Sequence, residues 1–166
     1  NLPYRDAPSD RSTAIAISVL TDAGVLQGDA GSGGGPSGLP NIRPYDELNR
    51  AEFMKIVMTL SDPNAGDASF ARNCFVDVAT SAWYSPYVCR AKALGIVTGH
   101  ALADKPAAQW PFKPNAAVQY EEAVKVLVKL YALPIDSQGG EWYEPYIRAA
   151  VSNDLAISGL RPGDHI

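Results

Sequence analysis

Two stretches of this chain follow one plan, and that repetition limits what it can fold into. Pro3-Tyr4-Arg5-Asp6-Ala7-Pro8 and Cys74-Phe75-Val76-Asp77-Val78 are similar openings. Each leads into a helical stretch, Ala14 to Ala23 in the first copy and Trp83 to Leu94 in the second. Each stretch ends on a glycine phrase, Gly24-Val25-Leu26-Gln27-Gly28 or Gly95-Ile96-Val97-Thr98-Gly99. Glycine just past a helix takes the left-handed conformation without steric cost, so both phrases read as stops. A variable loop follows, Asp29 to Asn41 or His100 to Pro111. A shared phrase then returns, as Ile42-Arg43-Pro44-Tyr45-Asp46 and Phe112-Lys113-Pro114-Asn115, ahead of second helices over Arg50 to Leu60 and Tyr120 to Ala132. Trp142-Tyr143-Glu144-Pro145-Tyr146-Ile147 echoes Trp83-Tyr84-Ser85-Pro86-Tyr87-Val88 and opens a third copy that runs to Ile166.

The repeats are thus read as 2–62, 74–133 and a partial 140–166 within a single domain, 1–166. One helix pair cannot bury its own apolar stripe, so the copies must pack on each other. The fold expected is mainly α, with helix-loop-helix units around a central bundle and long Gly/Pro-rich loops. In the first copy Phe53, Ile56, Val57 and Leu60 are spaced to make one apolar face. In the second, Ala123, Val124, Val126, Leu127, Leu130 and Tyr131 make a broader one. The second helices are expected at the centre and the first helices outside. Ile42-Arg43 and Phe112-Lys113 carry only a weak strand signal.

The start of the helix in the first copy has its own chemistry. Asn49 is a good N-cap, and Glu52 lies three residues on, where it can reach back to the cap. Arg50 stands in the first turn, an unusual place for a cation because the helix dipole is positive there. A cation beside free helix N–H groups can hold an anion; a solvated arginine without a ligand is the alternative.

Composition excludes several classes. The chain of 166 residues has a net charge of −4 and a pI near 5.1, which argues against general nucleic-acid binding. No apolar run is long enough for a transmembrane helix. The chain begins at Asn1 without a basic-plus-apolar leader, as a processed secreted protein or a trimmed chain would. Cys74 and Cys89 are expected to pair in a secreted chain; two separate small buried hydrophobes are the alternative. His100 and His165 have no nucleophile pattern beside them, so no catalytic residues are expected. No metal-ligand spacing occurs and no cofactor is expected; Asp29, Asp46 and Asp104 read as turn formers rather than calcium ligands. Trp83 and Trp142 occupy equivalent positions and read as packing residues. Trp110 has no equivalent and is the better candidate for an exposed sugar or protein contact.

These phrases together resemble the S-layer homology family. Phe75-Val76-Asp77-Val78, Trp83-Tyr84, Gly95-Ile96-Val97-Thr98-Gly99 and Phe112-Lys113-Pro114-Asn115 match its pattern in the second copy, and Asn49-Arg50-Ala51-Glu52 matches its last motif in the first. The resemblance implies a pseudo-threefold bundle and a non-catalytic, extracellular protein at the cell surface. Such a protein binds an anionic cell-wall polysaccharide, often one bearing a pyruvate ketal, in grooves between copies. On that pattern Arg50 is the anion ligand, Glu52 its cap and orienter, and Gly28 and Gly99 line grooves by letting backbone come close. Trp110 joins them as the candidate sugar contact. The second copy departs from the pattern, with Tyr120 at the arginine position and Glu121 beside it.

The third copy stops where its second helix should start. Either the chain is part of a longer protein, or two copies form a smaller core, or another molecule completes the packing. The last case gives a different function, a self-assembling subunit of a filament, tube or surface layer whose partners are neighbouring copies of itself.

Overall fold

The computed structural model describes residues 2–29, 38–157 and 159–166. It is mainly helical, as the repeat pattern requires. The helices are α1 (Arg11–Asp22), α2 (Arg50–Ser61), α3 (Ser85–Ala93), α4 (Tyr120–Leu130) and α5 (Glu144–Ser152). Short 3-10 turns occur at Ala68–Phe70 and Ala107–Gln109. Extended pairing among the described residues is confined to two isolated bridges, Asn49 with Ala117 and Gln119 with His165. Most of the glycine-rich loop, and Ser158 in the third copy, lie outside the described residues.

The chain divides into two compact units, Asn1–Asp46 and Glu47–Ile166. The division falls inside the stretch read as the first repeat, between its two helices. In the first unit Asp10 caps α1, its carboxylate accepting from Thr13 N–H at 2.8 Å. Tyr4, Ile17 and Val25 are buried, and the Tyr4 hydroxyl donates to Leu26 O at 3.0 Å.

In the second unit α2 packs on α3 and on α4, and α4 packs on α5. α2 and α4 therefore touch, and each also packs on the helix that follows it in the chain. The α2 stripe differs from the expected one. Ala51, Phe53, Met54, Val57 and Met58 are buried, whereas Leu60 is half exposed. Met54 and Met58 stand one residue after Phe53 and Val57, so the buried face is two i,i+4 rows side by side. Each fully buried methionine contributes roughly 2 kcal/mol of apolar transfer. On α4, Tyr131 is exposed and Val128 is buried in its place. Trp83 and Tyr84 precede α3, because Pro86 favours the first turn of a helix and not its interior. Cys74 and Cys89 form a disulfide with a Cα–Cα distance of 5.5 Å.

The two copies share local geometry that sequence likeness only hints at. Asp6 accepts the N–H groups of Ile42 and Arg43 at 2.9 and 2.8 Å. Asp77 accepts those of Phe112 and Lys113, both at 2.7 Å. Arg43 and Lys113 sit at positive φ, 51° and 59°, because two successive N–H groups must turn toward one carboxylate. These phrases are therefore clamped by carboxylates and form no strand. After α5 the left-handed stop is Asp154, at φ 55°, where the earlier copies use Gly24 and Gly95.

Leu48, ahead of α2, and Val118, ahead of α4, close a ring of backbone hydrogen bonds with Ile166. Leu48 N–H donates to Ile166 O at 2.8 Å, Ile166 N–H to Val118 O at 3.2 Å, and Val118 N–H to Leu48 O at 2.9 Å. Ile166 also packs against both apolar clusters of this unit.

Candidate functional site

The start of α2 is built as its sequence predicts. Asn49 Oδ1 accepts from Glu52 N–H at 2.9 Å, and Glu52 Oε2 accepts from Asn49 N–H at 3.1 Å. This reciprocal cap fixes the first turn and with it the position of Arg50.

Arg50 is only 9% exposed and is held on three sides. Its Nε donates to Phe112 O at 2.8 Å, Nη1 lies 2.7 Å from Glu122 Oε1, and the guanidinium lies over the Phe112 ring at 4.9 Å. Glu122 is the capping glutamate of α4, the counterpart of Glu52. One of its oxygens accepts from Gln119 N–H at 3.3 Å, and the other meets Arg50. Tyr120, at the arginine position of the second copy, is buried and donates its N–H to Asp164 O. Glu121 is also buried and accepts from Gly163 N–H at 2.8 Å.

A cleft of about 430 Å³ opens beside this pair. Arg50, Gly99, His100, Trp110, Glu122, Lys125 and Trp142 are among the residues that line it. Its volume lies in the usual range for small-ligand sites, about 300–1,000 Å³. Gly99 is at φ 81°, and a Cβ there would come within 2.8 Å of the Phe75 ring and 3.0 Å of Pro111 O. Glycine is thus required by both conformation and space, and the turn places backbone directly on the cleft wall. His100 follows, its N–H donating to Pro111 O at 2.8 Å. Trp110 is anchored by its indole N–H to Lys105 O at 2.9 Å. Trp142 is half exposed and stands edge-on to Tyr143, as Trp83 stands to Tyr84. The equivalent tryptophans are therefore surface residues, not the packing residues their positions suggested.

The titratable groups of the cleft influence one another. His100 Nε2 is buried, makes no hydrogen bond and lies 3.6 Å from Glu122 Oε1. Burial, and then the Arg50 guanidinium, hold the imidazole below its ordinary value against the opposing pull of Glu122. Burial, followed by the neighbouring Lys129, likewise lowers the Lys125 ammonium.

Arg50, Gly99 and Trp110, singled out from sequence, thus share one cleft. Glu52 acts at the helix cap behind it. Gly28 belongs to the first unit and repeats the Gly99 turn there, at φ 72°, with Asp29 N–H donating to Asn41 O at 2.9 Å. Sequence reasoning missed Glu122, His100, Lys125 and Trp142 as cleft residues. A signal for Lys125 was present, since it lies three residues after Glu122 on one face of α4. No helix among the described residues is long and apolar enough to cross a membrane.

Comparison with known proteins agrees with the motif reading. The chain is 29% identical over 150 residues to the surface-layer 125 kDa protein of Lysinibacillus sphaericus. That alignment covers 84% of this chain and 11% of the longer protein. The family model of the S-layer homology domain matches residues 75–101, which run from the clamped Phe75-Val76-Asp77 opening through α3 to the Gly99 turn, and the similarity indicates an extracellular, cell-surface location.

Proposed function

We propose that this chain is a non-catalytic cell-surface module that holds an anionic cell-wall polysaccharide in the cleft beside Arg50, and so anchors or builds an envelope layer. The observation that carries the reading is the convergence of Arg50, the Gly99 turn and the two tryptophans Trp110 and Trp142 on one cleft of sugar-binding size. Each part has a reason to be there. Indole faces cover the apolar faces of a pyranose ring, backbone polar groups at an open turn meet hydroxyls, and cations favour an acidic substituent. Glu52 serves the site by fixing the turn that carries Arg50, and we give the Gly28 turn of the first unit the same wall-forming role. The repeat organisation, two full copies and half of a third about a pseudo-threefold centre, belongs to this proposal; the ring through Leu48, Val118 and Ile166 supports it.

The test is co-sedimentation with insoluble wall fragments, before and after chemical removal of their polysaccharide. The chain should pellet with intact fragments only, and Trp110→Ala should weaken the association. Equal pelleting with stripped fragments would sink the reading.

A further inference from the structure

The cleft is lined by two basic side chains besides His100, and among the described residues only Arg50 has a carboxylate within ion-pair distance. Arg50 faces Glu122 at 2.7 Å, so the pair is neutral as a unit, and its Nε is already donated to Phe112 O. His100 Nε2 is buried without a hydrogen-bond partner, and burial and then Arg50 beside it disfavour the imidazole as a cation. Lys125 is different. Its Nζ has no hydrogen bond and no carboxylate within ion-pair distance among the described residues. It sits over two aromatic rings instead, 5.0 Å from the Trp142 centroid and 5.7 Å from that of Tyr146. Ring faces attract an ammonium but accept no proper hydrogen bond, so its three donors remain to be filled.

We infer that Lys125 Nζ is the group that meets the carboxylate of the bound glycan, with Trp142 as the aromatic surface under the same sugar. The inference rests on the anionic-polysaccharide reading and adds to it the residue that reads the charge. Lys125 lies on α4, a packed helix, so its stem is held by the fold while its head stays at the cleft. Arg50 contributes to the same cleft as half of a neutral pair, which orders the wall without attracting an anion over distance. Burial already weakens the hold of Lys125 on its proton, and a carboxylate partner would strengthen that hold, so ligand binding should be accompanied by a rise in the Lys125 pKa.

The experiment measures binding of the whole chain to a pyruvate-ketal-bearing wall polysaccharide, and to the same polymer after mild acid has removed the ketal. Wild-type chain should prefer the ketal form at least tenfold. Lys125→Gln should lose that preference while keeping its binding to the neutral polymer, and Lys125→Arg should retain it. Full preference in Lys125→Gln would overturn the assignment of Lys125 and leave the polysaccharide reading standing. Failure of the wild-type chain to bind either polymer would overturn both.

Discussion

Arg50 Nη1 and Glu122 Oε1 lie 2.7 Å apart across α2 and α4, and their side chains retain only 11% and 18% of their exposure. The contact joins the first turns of α2 and α4. It also ties the cap of α4 to the core, because the same carboxylate accepts from Gln119 N–H. Breaking such a pair from one side leaves a largely buried charge without its counter-ion. Arg50→Met should therefore destabilise this unit by roughly 3 kcal/mol. The double variant Arg50→Met/Glu122→Leu should lose clearly less than the sum of the two single changes, by at least about 1 kcal/mol. Urea unfolding of the four proteins checks this, and simple additivity would show that the pair is not coupled.

The histidine beside that pair makes stability depend on pH. Above about 6.5, the ordinary imidazole value, His100 is neutral in both the folded and the unfolded chain. As pH falls below that value the unfolded chain takes up a proton first, because burial and Arg50 depress the folded pKa. Stability is then lost progressively until pH passes the folded value, and below it the loss is complete. The urea midpoint of the wild-type chain should fall between about pH 7 and pH 5 more steeply than that of His100→Gln. Parallel curves would refute the assignment.

The disulfide makes a separate prediction. Cys74 and Cys89 are separated by 15 residues, so a crosslink restricts the unfolded chain by about 3 kcal/mol in the chain-entropy account. The double variant Cys74→Ala/Cys89→Ala should unfold at lower urea by that amount. A reducing agent should shift the wild-type midpoint toward the variant's and leave the variant unchanged.

What could be read from sequence here is what depends on neighbours along the chain. The Asn49–Glu52 cap was legible because cap chemistry operates over three residues, and both of its hydrogen bonds are present. The glycine stops were legible for the same reason, although Asp154 shows that a short polar side chain can take the left-handed position that Gly24 and Gly95 hold after α1 and α3. The apolar stripe of α2 was displaced, because Met54 and Met58 are as good at filling a core as Ile56 and Leu60, and only the angle at which α3 and α4 approach decides between them. The ion pair was not legible. Glu122 has a sufficient local reason to be where it is, as a cap, and its second partner, Arg50, lies on another helix far away in sequence. Lys125 was passed over for a similar reason, because a lysine on a helix is ordinary until it is known to make no close ion pair.

The ring through Leu48, Val118 and Ile166 predicts that Ile166 helps to hold α2 and α4 together in the second unit. Ile166 O receives Leu48 N–H, Ile166 N–H goes to Val118 O, and the side chain packs against both apolar clusters. Ile166→Gly keeps the backbone partners but removes the partly buried side chain and adds backbone freedom. It should cost roughly 1–2 kcal/mol, from a partly buried aliphatic group lost beside the core and from the entropy of glycine. Deleting His165 and Ile166 together should cost more. That change also leaves Leu48 N–H and Val118 O without partners and removes the contact of His165 Nδ1 with Glu47 Oε1 at 2.9 Å. Amide hydrogen exchange separates the two effects. In Ile166→Gly the Leu48 and Val118 amides should speed up together, in proportion to the global loss of stability. In the deletion the Leu48 amide should exchange faster than Val118 by a further factor, because its acceptor is gone while Val118 still donates to Leu48 O. Unchanged protection of Leu48 in the deletion would mean that the ring does not hold α2 and α4 together in solution.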